Sequence, residues 1–366
     1  MKSLRKNGYQ DTIITSGGVQ EPEHALQLLD AGADFIMLTD GYVFSGPGLT
    51  KRINEALVDR LDFPTGAQDG WLAYWLFGLF ILIGGFLAFL FSITTIILPY
   101  DENFLEMKRQ LIWAFNDRVM FFMAHDRMTL AGTMISGGIV YMQLAKHGVK
   151  TGLKWAKQAI DIAAIIGFLG IFSFIGYGYF DWLHLIFWLV LLPVYIAGFW
   201  KTRGIKGTPS STNRNNDITF KRGIYGQLAF VLLGFSFVIG GIVISIIGVT
   251  SIFVSTDLSY ICMTPEMLND FNEKLLPVLA HDRAGFGSAL LSVGLLVLCL
   301  SLWGVQQGNR WVWWTYLVGG LPAFLAGIYI HFAIEYTTFI HLLPAYVALA
   351  LYLIGLILSY PYFHKR

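Results

Sequence analysis

Charge is scarce in this chain. Asp, Glu, Lys and Arg make up 13% of its 366 residues, against the ~25% usual for a soluble domain. Imbalance of charge is missing too. The formal net charge is +1, which removes the electrostatic case for a nucleic-acid partner. Cysteine is nearly absent, with Cys262 and Cys299 too far apart for a CxxC pair, so no disulfide framework is expected. The opening MKSLRKNGYQD is basic, but no apolar run follows it, so it is not a secretory leader. What remains is apolar: 55% hydrophobic and 16% aromatic residues, with 39 glycines. That composition predicts a mainly α-helical integral membrane protein whose first partner is the lipid bilayer.

The first sixty residues do not follow that pattern. DTIITSGG is a short β-branched run closed by two glycines, and ADFIMLTDG is a second such run; both predict buried parallel strands. Between them PEHALQLLDAG carries Ala25, Leu28 and Leu29 at helical spacing, with Gly32 as a C-cap. After them GPGLTKRINEAL places Leu49, Ile53 and Leu57 on one stripe. The order is strand, helix, strand, helix.

The series SGGV, E-x-A-x-x-L-L-x-A-G-A-D, a strand and GYVFSGPGLTKRINEAL resembles the C-terminal end of dihydroorotate dehydrogenases. The resemblance covers roughly residues 12–57 and implies the last two units of an FMN-binding (β/α)8 barrel. In such barrels a phosphate sits on the loops after strands 7 and 8. By resemblance Gly17 and Gly18, with the backbone at Thr39, Asp40 and Gly41, would hold the FMN phosphate. The sequence departs from the family pattern at Asp40, where a small neutral residue is usual. A carboxylate there repels a phosphate dianion. Six strand–helix units and the catalytic base are not in the matched segment. Residues 1–62 are therefore expected to be a truncated barrel fragment, either a relic, the tail of a longer chain, or one part of a barrel completed by another polypeptide.

From Trp71 onward a span needs about 20 apolar residues. Eight are expected, at 71–98, 128–145, 158–177, 182–200, 226–254, 284–303, 311–331 and 341–361. The polar, basic stretch 201–225 is expected to be a flexible cytoplasmic linker. With both termini in the cytoplasm of a plasma-membrane protein, the inner segments hold 13 basic residues and the outer loops six, counted from residue 71.

The membrane part also reads as a duplication. GWLAYWLFGLFILIGG at 70–85 aligns without a gap on GQLAFVLLGFSFVIGG at 226–241, a shift of 156. The same shift joins Asp101 to Asp257, Asn116 to Asn272, and Ala124-His125-Asp126-Arg127 to Ala280-His281-Asp282-Arg283. Residues 70–200 and 226–363 are thus expected to be two parallel four-helix repeats. Each outer loop carries an amphipathic stretch, Phe104 to Phe122 in one and Met267 to Val278 in the other, expected to lie on the outer surface or cap the bundle.

AHDR, present twice, is the sharpest polar signal. Charge at membrane depth requires partners. Neighbouring helix residues diverge by about 100°, so His125, Asp126 and Arg127 cannot converge on one ligand unaided. A site would need His281, Asp282 and Arg283 as well, with the two histidines facing each other. Such a set suits a haem or metal ligand pair, a proton relay, or an arginine on an anion or a quinone carbonyl. The plainer expectation is that Asp and Arg pair locally or with loop residues, and that each histidine packs at the interface with one hydrogen bond. His184 and His341 begin the fourth and eighth spans, one residue out of register, but haem is disfavoured because its ligands usually lie deeper. Two functions follow. One is a membrane-anchored dihydroorotate dehydrogenase-like protein, for which the resemblance implies FMN-dependent oxidation of dihydroorotate and perhaps a quinone acceptor. The other is a non-enzymatic multi-pass protein (transporter, sensor or redox module) with a relic barrel tail.

Overall fold

A computed structural model describes residues 1–46, 48–61, 69–170, 172, 178–179, 182–206, 213 and 215–365. The N-terminal unit runs α1 (Lys2–Lys6), β1 (Ile14–Ser16), α2 (Pro22–Asp30), β2 (Phe35–Met37), α3 (Asp40–Ser45) and α4 (Gly48–Val58). β1 and β2 pair in parallel, Ile14 opposite Phe35 and Ser16 opposite Met37. Pro22 starts α2, where its missing N–H costs nothing. Val19, Ala25, Leu49 and Ile53 form a small core beneath the pair. Ile14 and Phe35 point the other way and are 64% and 63% exposed. The expected strand–helix order is present, with one addition: the chain after β2 winds at once into α3 instead of making an open glycine turn.

The membrane part contains α5 (Trp71–Thr94), α6 (Pro99–Leu105), α7 (Arg109–Phe115), α8 (Asp117–Gln143), α9 (Lys154–Gly170), α10 (Trp182–Thr202), α11 (Ile218–Val249), α12 (Ser255–Ile261), α13 (Pro265–Phe271), α14 (Leu275–Trp303), α15 (Arg310–Ala333) and α16 (Phe339–His364). α8 continues through a π turn and a 3-10 turn to Thr151. Among the described residues seven helices are long and apolar enough to cross a membrane: α5, α8 with its extension, α10, α11, α14, α15 and α16. Helices suit that setting because they satisfy their own backbone. The expected span at 158–177 coincides in part with α9, and most of its remainder lies outside the described residues.

Three spans begin well before their expected starts, α8 and α14 for one reason and α11 for another. α8 starts at Asp117 rather than 128, and α14 at Leu275 rather than 284. The charges of AHDR had marked the expected edge. They are paired inside the protein, so the helices continue through them. The stretch expected to be a linker is helical from Ile218. The Asp217 carboxylate caps α11 by accepting the Phe220 N–H at 2.8 Å.

α8 and α14 form the centre: 72% and 50% of their most apolar stretches are buried, against 11% for α10. They pack on each other, α8 also on α5 and α15, and α14 also on α11 and α9. Glycine sets the closeness of two of these contacts. A Cβ at Gly138 would lie 2.7 Å from the Leu82 backbone nitrogen, and one at Gly241 would lie 2.4 Å from that of Leu291. The backbones approach because no side chain separates them.

Candidate functional site beneath two short-helix caps

The site is built on two turns that cap it. After α5 the chain turns through Ile96, and after α11 through Ile252, with φ of 55° and 66°. Left-handed conformations are strained for β-branched residues, and here each isoleucine is buried. Each turn leads into a short helix held by an aspartate. Asp101 accepts the Leu98 N–H at 2.8 Å, and Asp257 accepts the Val254 N–H at 2.8 Å. The expected continuous amphipathic helices are each broken. Glu106 and Cys262 take left-handed φ, and Asn116 and Asn272 are extended. The breaks let the two caps clasp. Asn116 donates to the Ile261 carbonyl and Asn272 to the Leu105 carbonyl, both at 2.9 Å. Phe115 stacks on Phe271 with centroids 3.6 Å apart.

Beneath the caps the two AHDR segments exchange partners. Arg127 Nε donates to Asp282 at 2.7 Å, and Arg283 Nε donates to Asp126 at 3.1 Å. Each guanidinium also reaches a cap aspartate, Arg127 to Asp101 at 2.9 Å and Arg283 to Asp257 at 2.5 Å. Arg127 further donates to the carbonyl of Ile96, the strained residue. Asp101 and Asp257 have no exposed surface. A buried cation between two carboxylates is the arrangement that makes burial tolerable. Two arginines against four aspartates leave a formal charge of −2 on the cluster.

The histidines take other partners than each other. His125 Nδ1 lies 2.9 Å from Asp126, and its Nε2 lies 3.0 Å from His331 Nε2. His341 stands beside them, its ring centroid 5.1 Å from that of His331. His281 Nδ1 lies 3.1 Å from Asp282, and its Nε2 lies 3.4 Å from His184 Nδ1. Tyr336 donates to Asp257 at 2.8 Å, and Tyr179 donates to Asp101. The structure therefore brings His125, Asp126, Arg127, His281, Asp282 and Arg283 into one buried network, but as two histidine groups flanking a central charge cluster.

Sequence reasoning missed His331, Tyr179 and Tyr336. Tyr179 and Tyr336 differ by 157 in number, as do His184 and His341. That shared offset was the available signal. A second buried group was also missed. Lys157, just before the span expected at 158–177, is buried and pairs with Asp161, which accepts from Tyr74 at 2.5 Å.

A cavity of about 240 Å³ runs inward from the His281 side. Apolar residues of α5, α8, α10 and α14 line most of it, among them Phe77, Leu130, Phe187 and Trp188. At the end nearest the caps stand Arg127, His184, His281 and Asp282.

The chain is similar over short stretches to dihydroorotate dehydrogenases (quinone). It is 41% identical over 54 residues to that of Chloroflexus aurantiacus, 15% of each chain. It is 38% identical over 48 residues to that of Christiangramia forsetii, 13% of this chain and 14% of the relative. It is 38% identical over 79 residues to that of Rhizobium rhizogenes, 20% and 22%. The chain thus spans about a fifth or less of the relatives it matches. No family model and no solved structure matches it.

For the phosphate residues expected from the resemblance, the structure brings the two loops together at one end of the β pair. Gly17 and Gly18 have φ of 88° and 69°, with open space where a Cβ would stand. Gly41 packs so closely on Val19 that a Cβ would fall 1.5 Å from its carbonyl oxygen. Thr39 and Asp40 are exposed at the same end. The glycine pair could admit an anion, but the Asp40 carboxylate opposes one, and a two-stranded pair offers no wall for a flavin ring. These residues do not make an FMN site by themselves.

Proposed function

We propose that this chain binds a quinone-class molecule within the membrane, and that its N-terminal segment derives from the flavin end of a dihydroorotate dehydrogenase-type barrel. The cavity carries the reading. Its apolar walls suit a lipid-soluble ring, and an apolar cavity of about 150 Å³ already admits benzene. Its end nearest the caps places a guanidinium and two imidazoles where a quinone carbonyl needs donors. The His281–Asp282 pair is suited to passing a proton to a reduced quinone oxygen. The relatives are named for a quinone-linked reaction, and the matched lengths fit the segment at 12–57.

The membrane part is read as two parallel four-helix repeats. The exchanged arginines, the paired asparagines and the two strained isoleucines support a pseudo-twofold axis between α8 and α14. The shift of 156 becomes 157 at Tyr179/Tyr336, a single-residue difference between the halves. The basic residues favour cytoplasmic termini in the plasma membrane. Dihydroorotate oxidation is assigned only to an assembly that completes the barrel. Given dihydroorotate alone, this chain is expected to reduce no quinone. Titration of the purified protein with decylubiquinone tests the binding.

A further inference from the structure

The His125 group has a feature that the cavity reading does not use. His125 Nδ1 faces the Asp126 carboxylate at 2.9 Å, and His331 Nδ1 faces the Gly327 carbonyl at 2.5 Å. Both oxygens can only accept, so both Nδ1 atoms carry the ring proton. The two Nε2 atoms then present lone pairs to each other across 3.0 Å. Two neutral imidazoles held this way repel unless a cation lies between them. His341 is oriented similarly. Tyr336 gives its proton to Asp257 and so accepts from His341 Nδ1 at 3.0 Å, with Thr256 Oγ1 at 3.2 Å. That leaves Nε2 of His341 as its lone pair.

We propose that His125, His331 and His341 form a site for a divalent transition-metal ion of the zinc class. One ring nitrogen from each lies within 4.8 Å of those of the other two. Ligand nitrogens on a tetrahedral ion at ~2.0–2.1 Å stand about 3.3 Å apart. The His125–His331 pair is already near that spacing, and His341 needs to close by at most ~1.5 Å. Every ligand has an oxygen behind its far nitrogen, the arrangement that fixes the tautomer in metal sites. An all-imidazole donor set suits Zn²⁺ and its neighbours rather than Mg²⁺ or Ca²⁺. The adjoining charge cluster is formally −2, so a divalent cation brings it to neutrality. The His281 side has no third histidine: at the offset of 157, His331 corresponds to Phe174 in sequence. The site is therefore expected once per chain.

Co²⁺ is the probe. Full-length protein carrying no histidine tag is stripped with a chelator in detergent and titrated with Co²⁺. The expected result is the intense visible absorption of a tetrahedral ion, saturating at one per chain and abolished by added Zn²⁺. His331→Phe, which copies the residue of the other half, removes the bands, as does His341→Asn, while His184→Ala leaves them unchanged. Tyr336→Phe weakens affinity by roughly 10- to 100-fold. No tetrahedral bands in the wild type would overturn the proposal, and so would bands that persist in monodisperse His331→Phe and His341→Asn proteins. Neither result bears on decylubiquinone binding, which uses the His281 side.

Discussion

Arg127 on one central helix donates to Asp282 on the other at 2.7 Å. The inverse pair, Arg283 with Asp126, closes at 3.1 Å. Neither arginine pairs with the aspartate beside it in sequence, because neighbouring helix residues diverge by about 100°. The exchange ties α8 to α14 inside the protein, where unpaired charge is costly.

Removing one member of this exchange leaves buried charge without a partner. Arg127→Met is expected to lower stability by about 3–5 kcal/mol, because Asp101 and Asp282 both lose a cation. Arg127→Met combined with Asp282→Leu should cost less than the sum of the two single changes. Thermal unfolding of the four proteins in one detergent gives the coupling. Strict additivity would mean that the pair does not interact.

The clasp of the two caps rests on two asparagines in equivalent roles. Each accepts from a backbone N–H two residues on, Asn116 from Arg118 and Asn272 from Lys274, and each donates across to the opposite cap. Asn116→Ala and Asn272→Ala should each lose about 1–2 kcal/mol. Protease sensitivity of the segments 95–116 and 250–274 should rise in both. A large effect from one and none from the other would show that the two caps are not equivalent.

Acid should loosen the first cap. The Arg109 backbone N–H and the Lys108 ammonium hold the Glu102 carboxyl below its usual range, against partial burial. A depressed carboxyl stabilises above its unfolded pKa of about 4.3, and that contribution fades as pH falls through the folded value. Melting temperature measured from neutral pH down to about pH 3 should fall more steeply in wild type than in Glu102→Gln. Parallel curves would remove Glu102 from the account.

Close helix contact makes a further demand. Gly241→Leu puts side-chain atoms against the Leu291 backbone, and Gly240→Leu does not, since a Cβ at Gly240 would meet only the Leu290 side chain at 3.7 Å. The first should cost about 1–3 kcal/mol or more through overpacking, and the second little. Comparable melting of the two variants would mean that the glycines do not set the distance.

How much of this was readable beforehand depended on how local the signal was. The β-α-β-α order of the N-terminal unit is written in runs of eight to twelve residues, and it was legible. AHDR was legible as a pair because both copies are identical. Who pairs with whom was not, since Asp126 and Arg283 are 157 residues apart and meet only when α8 packs on α14. The early starts of α8 and α14 were hidden by the same charges, which look like a membrane edge until their partners are known. His331 was invisible for a different reason. It stands alone in an apolar span, without a copy in the other half, and acquires meaning only beside His125. Asp161 and Lys157 sit four apart on one helix, but Asp161 fell inside the span expected at 158–177 and Lys157 just before it, which hid their pairing.

The most direct test of the proposed function is decylubiquinone binding. Quenching of tryptophan fluorescence is measured in wild type and in Ala289→Phe, which fills the cavity beside Trp188. Quenching is expected to saturate in wild type, to weaken at least about tenfold in His281→Ala (~1.4 kcal/mol) and to be lost in Ala289→Phe. Quenching that rises linearly without saturation, and equally in all three proteins, would show only partition into the detergent and would contradict a quinone site in this cavity.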